Sequence, residues 1–134
     1  MLEVVLDTET TGLSISENHR IVEIGCVELN NQIPTNNIFH EYVNPQRSVS
    51  EEAYKIHGYS NKFLSGKKIF SEIAEAFLNF IKDKKIIIHN AAFDLSFLNY
   101  ELKKINKKEI DKKNVIDTLE IARQKYPGSQ NSLD

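Results

Sequence analysis

Apolar positions recur at two different periods along this chain, and the changeover falls near Pro45. Before it the pattern is strand-like. Leu2-Glu3-Val4-Val5-Leu6 is a β-type run expected to end at Asp7, and Thr8 to Ser16 reads as a turn rich in Thr, Gly and Ser. Ile21 to Leu29 is almost continuously apolar, as a strand buried on both faces would be. Asn30-Asn31 gives a turn signal before a third strand-like stretch from about Ile38 to Val43. Three strands with short connections predict an antiparallel meander.

After Pro45 the period becomes helical. Ser50 to His57 predicts a short helix stopped by Gly58. Phe70, Ile73, Ala74, Phe77, Leu78 and Ile81 fall on one face of a second helix, with Ser71 as its expected N-cap. Ile86-Ile87-Ile88 is a buried β run, followed by His89-Asn90 and a helix from about Phe93 to Lys104. Val115-Ile116 predicts a last short strand, and Thr118 to Lys125 a last helix reaching toward Pro127-Gly128. Strands first, then alternating helices and strands, predict an α/β class with a mixed sheet flanked by helices.

Composition narrows the picture without choosing a function. The 134 residues are 40% hydrophobic and 27% charged, which suits one globular domain spanning 1–134. No apolar run approaches the roughly 20 residues of a membrane span and no signal-peptide layout opens the chain, so the expectation is a cytoplasmic protein with no membrane partner. One cysteine, Cys26, excludes a disulfide framework and sits among apolar neighbours as a buried structural thiol would. The formal net charge of −2 hides an asymmetry, because residues 1–66 sum to −5 and residues 67–134 to +3. That division suits a metal site beside a phosphate-facing surface, and equally two solvated faces.

The densest chemical signal is Asp7-Thr8-Glu9-Thr10-Thr11-Gly12. Residues two apart on a strand share a face and lie roughly 6–7 Å apart, so Asp7 and Glu9 can converge on one hard cation. Gly12 would let the backbone behind them pass close to a ligand. A second signal, His89-Asn90-Ala91-Ala92-Phe93-Asp94, puts a carboxylate early in a helix just past a strand end. Asp94 alone reads as a residue favoured by the helix dipole. With Asp7 and Glu9 it makes three carboxylates at strand ends, a two-metal nuclease plan.

These two hexapeptides, in this order, resemble the first and second motifs of the DEDD exonuclease superfamily. Glu52-Ala53-Tyr54-Lys55-Ile56-His57-Gly58 resembles the family segment that contacts the terminal nucleotide. Val115-Ile116-Asp117-Thr118-Leu119 and the stretch from Pro127 to Asp134 continue the likeness, which covers essentially the whole chain and is strongest to the proofreading exonucleases of bacterial replicative polymerases. The resemblance implies an RNase H-like fold and 3′→5′ release of nucleoside monophosphates with two divalent cations, Mg²⁺ or Mn²⁺. It implies that Asp7 bridges both metals, that Glu9 holds the one carrying the attacking water, and that Asp94 serves the one near the leaving oxygen. Glu52 would hold the terminal 3′-hydroxyl or sugar, His57 would line the nucleotide pocket, and Leu13 could pack against a base. The implied partners are the 3′ end of single-stranded or frayed DNA and a replicative polymerase subunit.

Other features read more plainly. Asp117 matches a family acidic position, but Asp117-Thr118-Leu119-Glu120 is read as a helix N-cap. The lysines of 103–113 read as a solvated helix end and loop. The family's third motif, which in the His-bearing branch supplies a general-base histidine and a fourth metal-binding aspartate, has no counterpart in residues 1–134. Neither Asp134 nor His19, His40, His57 or His89 matches it; His89 reads as structural, and His19 and His40 carry no assigned role. The expectation is a C-terminally incomplete RNase H-like domain with little or no activity alone. An RNA-trimming relative and a non-catalytic module docking on a polymerase remain the rival readings at this point.

Overall fold

The computed structural model describes residues 1–125, so the likeness from Pro127 to Asp134 lies outside the described residues. Its five strands are β1 (Leu2–Thr10), β2 (Ile21–Asn30), β3 (Ile33–Tyr42), β4 (Lys85–Ile88) and β5 (Val115–Asp117). They form one mixed sheet in the order β3-β2-β1-β4-β5. β1, β2 and β3 pair antiparallel as the meander predicts, while β4 runs parallel to both β1 and β5. The helices are α1 (Glu51–His57), α2 (Asn61–Ser65), α3 (Phe70–Ile81), α4 (Ala91–Lys104) and α5 (Thr118–Lys125). The short α2 has no counterpart in the sequence reading, because five residues are too few to show a period. No helix among the described residues is long and apolar enough to cross a membrane.

One face of the sheet carries the core. Val4, Leu6, Ile24, Cys26, Ile86 and Ile88 pack against Phe70, Ile73, Phe77 and Ile81 of α3 and Leu95, Leu98 and Leu102 of α4. The helical period of α3 therefore reports its buried face, with Leu78 half-buried at the margin. Burial pushes the Cys26 thiol up to about 12, which leaves it an inert core residue.

Three local expectations change. β1 does not stop at Asp7 but stays paired with β2 through Thr10. Thr8 and Thr10 turn their branched side chains into the buried face, so they act as strand residues and not as turn formers. β2 is not buried on both faces: Val27 is 41% exposed, and it lies in one register row with Ile38 at 65% and Val5 at 41% on the face away from the core. β3 begins earlier than expected, at Ile33, because Asn31 and Gln32 both take positive φ and make a two-residue hairpin turn.

Ser71 is not the N-cap of α3. That position is Ile69, whose N–H donates to the Glu72 carboxylate at 3.0 Å, half of a capping box that an isoleucine side chain cannot complete. α4 likewise starts two residues before the expected Phe93, at Ala91. Its N-cap Asn90 adopts φ 61° and makes no side-chain cap bond. The Asp117 carboxylate takes that duty from across the sheet, accepting from the N–H groups of Asn90 and Ala91 at 3.0 Å each. The same carboxylate accepts from Leu119 N at 2.9 Å, so Asp117 caps α5 as expected and α4 as well.

Candidate active site

β1 sets the site because it lies between an antiparallel and a parallel neighbour. Ligands in open α/β sheets collect beyond the carboxyl ends of parallel strands, and here those are β1, β4 and β5. Val5 pairs with Ile87 at the end of their shared ladder, so Asp7 and Glu9 project past the point where β4 gives way to α4. A bulge follows immediately: Glu9 faces Glu23 but Thr10 faces Ile21, leaving Val22 as the extra residue on β2. Bulges re-aim side chains and strengthen local twist. This one falls at the carboxylate pair.

Asp94 approaches from the helix side. It is 4% exposed in the first turn of α4, and the Thr8 hydroxyl donates to its Oδ1. Burial pushes the Asp94 carboxyl up to about 7; the Thr8 bond opposes this, while the charges of Asp7, Glu9 and Asp117 add to it. Asp7, Glu9 and Asp94 thus form one electrostatic unit in which negative charge is crowded. Among the described residues no group of three His, Cys, Asp or Glu side chains is already gathered tightly enough to hold an ion. The donor set nonetheless fits a hard divalent cation in kind, being entirely carboxylate and mutually repelling.

The predicted nucleotide-contacting segment is docked onto the same strand end. Ser50 caps α1 through its side chain, accepting from Ala53 N at 3.1 Å, while its own N–H donates to Thr11 O at 2.8 Å. At the other end of α1, His57 Nε2 donates to Thr10 O at 3.1 Å. Glu52 is exposed on the first turn of this pinned helix, and Leu13 stands 61% exposed just past β1. His89 pairs through Nδ1 with the Thr118 hydroxyl at 3.0 Å, tying the end of β4 to the start of α5.

The sequence reading missed the lock behind the first motif. Gly12 does not open space for a ligand: a Cβ there would lie 2.2 Å from His19 Nε2, because the buried His19 ring occupies that space. The Thr11 hydroxyl accepts from Arg20 N at 2.9 Å and pairs with His19 Nδ1, also at 2.9 Å. Arg20 then grips Glu101 of α4 with two bonds of 2.6 Å. The readable sign was Glu101 itself, a second acid beside Asp94 in line with Leu98 and Leu102 on a helix face that is apolar apart from these two. A concavity of about 630 Å³ opens at the opposite end of β1 and β4 beside Met1, Lys84, Lys85 and Lys108, and none of the candidate site residues lines it.

A family model described as exonuclease (RNase_T) matches residues 4–134. A DNA polymerase III subunit epsilon of Rickettsia felis is 51% identical over 98% of the chain, and that of Escherichia coli is 44% identical over the same share. The chain spans 59% and 57% of the length of these two relatives. Among solved structures, an exonuclease X in complex with 5′ overhanging duplex DNA superposes with a TM-score of 0.72 at 25% identity, covering 96% of this chain and 67% of that one. A mixed five-stranded sheet, an RNase H-like fold and a match along nearly its full length place the chain in the exonuclease family, whose members depend on divalent metal.

Proposed function

We propose that this chain carries the catalytic platform of a 3′→5′ exonuclease that proofreads DNA synthesis, hydrolysing the terminal phosphodiester and releasing nucleoside monophosphates. The observation that carries this reading is the burial of Asp94 against the strand that bears Asp7 and Glu9, with the three charges coupled. Asp7, Glu9 and Asp94 would hold two divalent cations, Mg²⁺ or Mn²⁺. Such ions lower the pKa of an attacking water and offset charge on a departing 3′-oxygen. Glu52 would accept the terminal 3′-hydroxyl, and His57 and Leu13 would border the sugar and base. The helix that presents Glu52 and His57 is tied by hydrogen bonds to the backbone carbonyls of Thr10 and Thr11, so the nucleotide contacts and the carboxylates are held in one frame.

The substrate in this reading is the frayed or single-stranded 3′ end of DNA in the cytoplasm, handed over by a replicative polymerase subunit. Such an end needs no broad basic stripe, which agrees with the pI near 6.1. Calorimetric titration of the chain with Mn²⁺ tests the platform: saturable binding is expected, lost in Asp7→Ala and weakened in Asp94→Ala. Absence of binding by the unsubstituted chain, or binding indifferent to both substitutions, would overturn the reading. Matched 5′-labelled DNA and RNA strands, given to a longer chain that also carries the third motif, then test the sugar preference, with DNA expected to be shortened from its 3′ end.

A further inference from the structure

The ring of His57 has no nitrogen to spare. Its Nε2 faces the Thr10 carbonyl, which can only accept, so Nε2 carries the proton. Its Nδ1 accepts from Tyr59 N at 3.0 Å. The neutral Nε2–H tautomer is thereby fixed by two backbone groups. A nucleotide can meet the faces and carbon edge of this ring, but neither nitrogen is available to it without breaking a bond.

One face is already covered. Gly58, at φ 77°, reverses the chain after α1, a conformation that residues with a side chain rarely adopt. The reversal folds Tyr59 back onto His57, with ring centroids 4.9 Å apart and planes inclined by 16°. Tyr59 is in turn backed by Phe63 of α2, stacked at 5.7 Å, and by Tyr42 of β3, edge-on at 5.0 Å. Its hydroxyl donates to Glu23 Oε1 at 2.9 Å, and the other oxygen of Glu23 pairs with His40 Nε2 at 2.5 Å. Burial and the bond to Glu23 hold the Tyr59 phenol well above its ordinary range, so it stays a donor. Glu23 is the register partner of Glu9 on one side and of Tyr42 on the other, which places this brace in the same row of the sheet as the metal-site carboxylate.

We propose that Tyr59 and Glu23 are positioning residues that hold the His57 ring as a fixed wall of the terminal-nucleotide pocket. The wall works through shape: a ring pinned at both nitrogens and stacked from behind gives the terminal nucleotide an immobile apolar surface. Glu23 supplies the anchor and His40 keeps its second oxygen engaged. The inference rests on the exonuclease reading above, and its test separates the two.

The probe is thymidine 5′-monophosphate, titrated into the chain in Mg²⁺, with Mn²⁺ binding measured separately without nucleotide. Tyr59→Leu keeps the N–H that binds His57 Nδ1 but removes the stacked ring; about tenfold weaker nucleotide binding is expected. Tyr59→Phe keeps the ring and loses only the tie to Glu23; about threefold weaker binding is expected. Mn²⁺ affinity should be unchanged in both, and nitrogen NMR should show the Nε2–H tautomer of His57 in the parent chain and in Tyr59→Phe. Equal nucleotide affinity in all three proteins would overturn the positioning role while leaving the exonuclease reading intact. Parallel loss of metal and nucleotide affinity in both variants would overturn it in favour of a purely structural brace. A parent chain that binds Mn²⁺ but no monophosphate would overturn the pocket together with the functional reading.

Discussion

Asp94→Asn should stabilise the metal-free protein, and by an amount that grows with pH. The carboxyl of an ordinary aspartate titrates near ~3.9, whereas burial together with the charges of Asp7, Glu9 and Asp117 raises that of Asp94 to about 7. A folded-state value above the unfolded one means that the proton is held more tightly in the native protein. The group's contribution is therefore fully present below the unfolded value and is lost as pH rises through about 7. At pH 8 the ionised carboxylate costs on the order of 4 kcal/mol relative to a neutral group at the same position. Asparagine is neutral, of similar shape, and keeps an oxygen to accept the Thr8 hydroxyl.

The assay is thermal unfolding followed by circular dichroism in EDTA, from pH 4.5 to 8.5. For a chain of 134 residues the gain at pH 8 corresponds to a rise in Tm on the order of 10 °C. Near pH 4.5 the gap should almost close, because the native aspartic acid is then itself neutral. Adding Mg²⁺ should reverse the order, raising the Tm of the parent protein by mass action more than that of the variant. The reasoning is refuted if Asp94→Asn is no more stable than the parent at pH 8 in EDTA, or if the difference is the same at both ends of the pH range.

Three further outcomes follow from the polar contacts around the sheet. Gly12→Ala drives a Cβ into the His19 ring and should cost about 1–3 kcal/mol in urea unfolding, with much of the loss recovered by adding His19→Ala. Arg20→Ala leaves the Glu101 carboxylate buried without its partner and should cost about 3–5 kcal/mol by the same measurement. Glu28, hydrogen-bonded to Lys84, Thr35 and Asn37, is held down at about 2, so its contribution is present above the ordinary carboxylate range and fades as pH falls toward 2. Glu28→Gln should flatten that acid limb of the Tm profile and leave the neutral limb's slope unchanged.

The parts of the fold written as repeated apolar spacing were legible in the sequence. The α3 face from Phe70 to Ile81 and the Ile86–Ile88 run need only count apolar positions, and burial rewards that count directly. The order of strands and helices also survives, because short connections leave few ways to assemble a meander and two parallel strands. Boundaries failed where a long-range partner decides them. β1 continues past Asp7 only because β2 pairs with it to Thr10, and α4 starts at Ala91 only because Asp117, far along the chain, supplies the cap that Asn90 does not. Ser71 looked like a cap by residue type, yet the cap is made from the opposite direction, by Glu72 reaching back to Ile69 N.

The candidate site divides along the same line. Asp7, Glu9 and Asp94 were readable because carboxylates at strand ends are few and their motifs local. What holds them was not readable, because each support joins segments that no window of sequence contains together. Thr8 meets Asp94 across the strand–helix interface, Arg20 meets Glu101, and Tyr59 meets Glu23. These links share one consequence. The strand end that carries the repelling carboxylates is fastened through hydrogen bonds to β2, α1 and α4, so electrostatic crowding at Asp94 is resisted by polar contacts outside the apolar core. A site with that construction can keep negative charge concentrated before a cation arrives, and the cation then gains affinity from the repulsion it relieves.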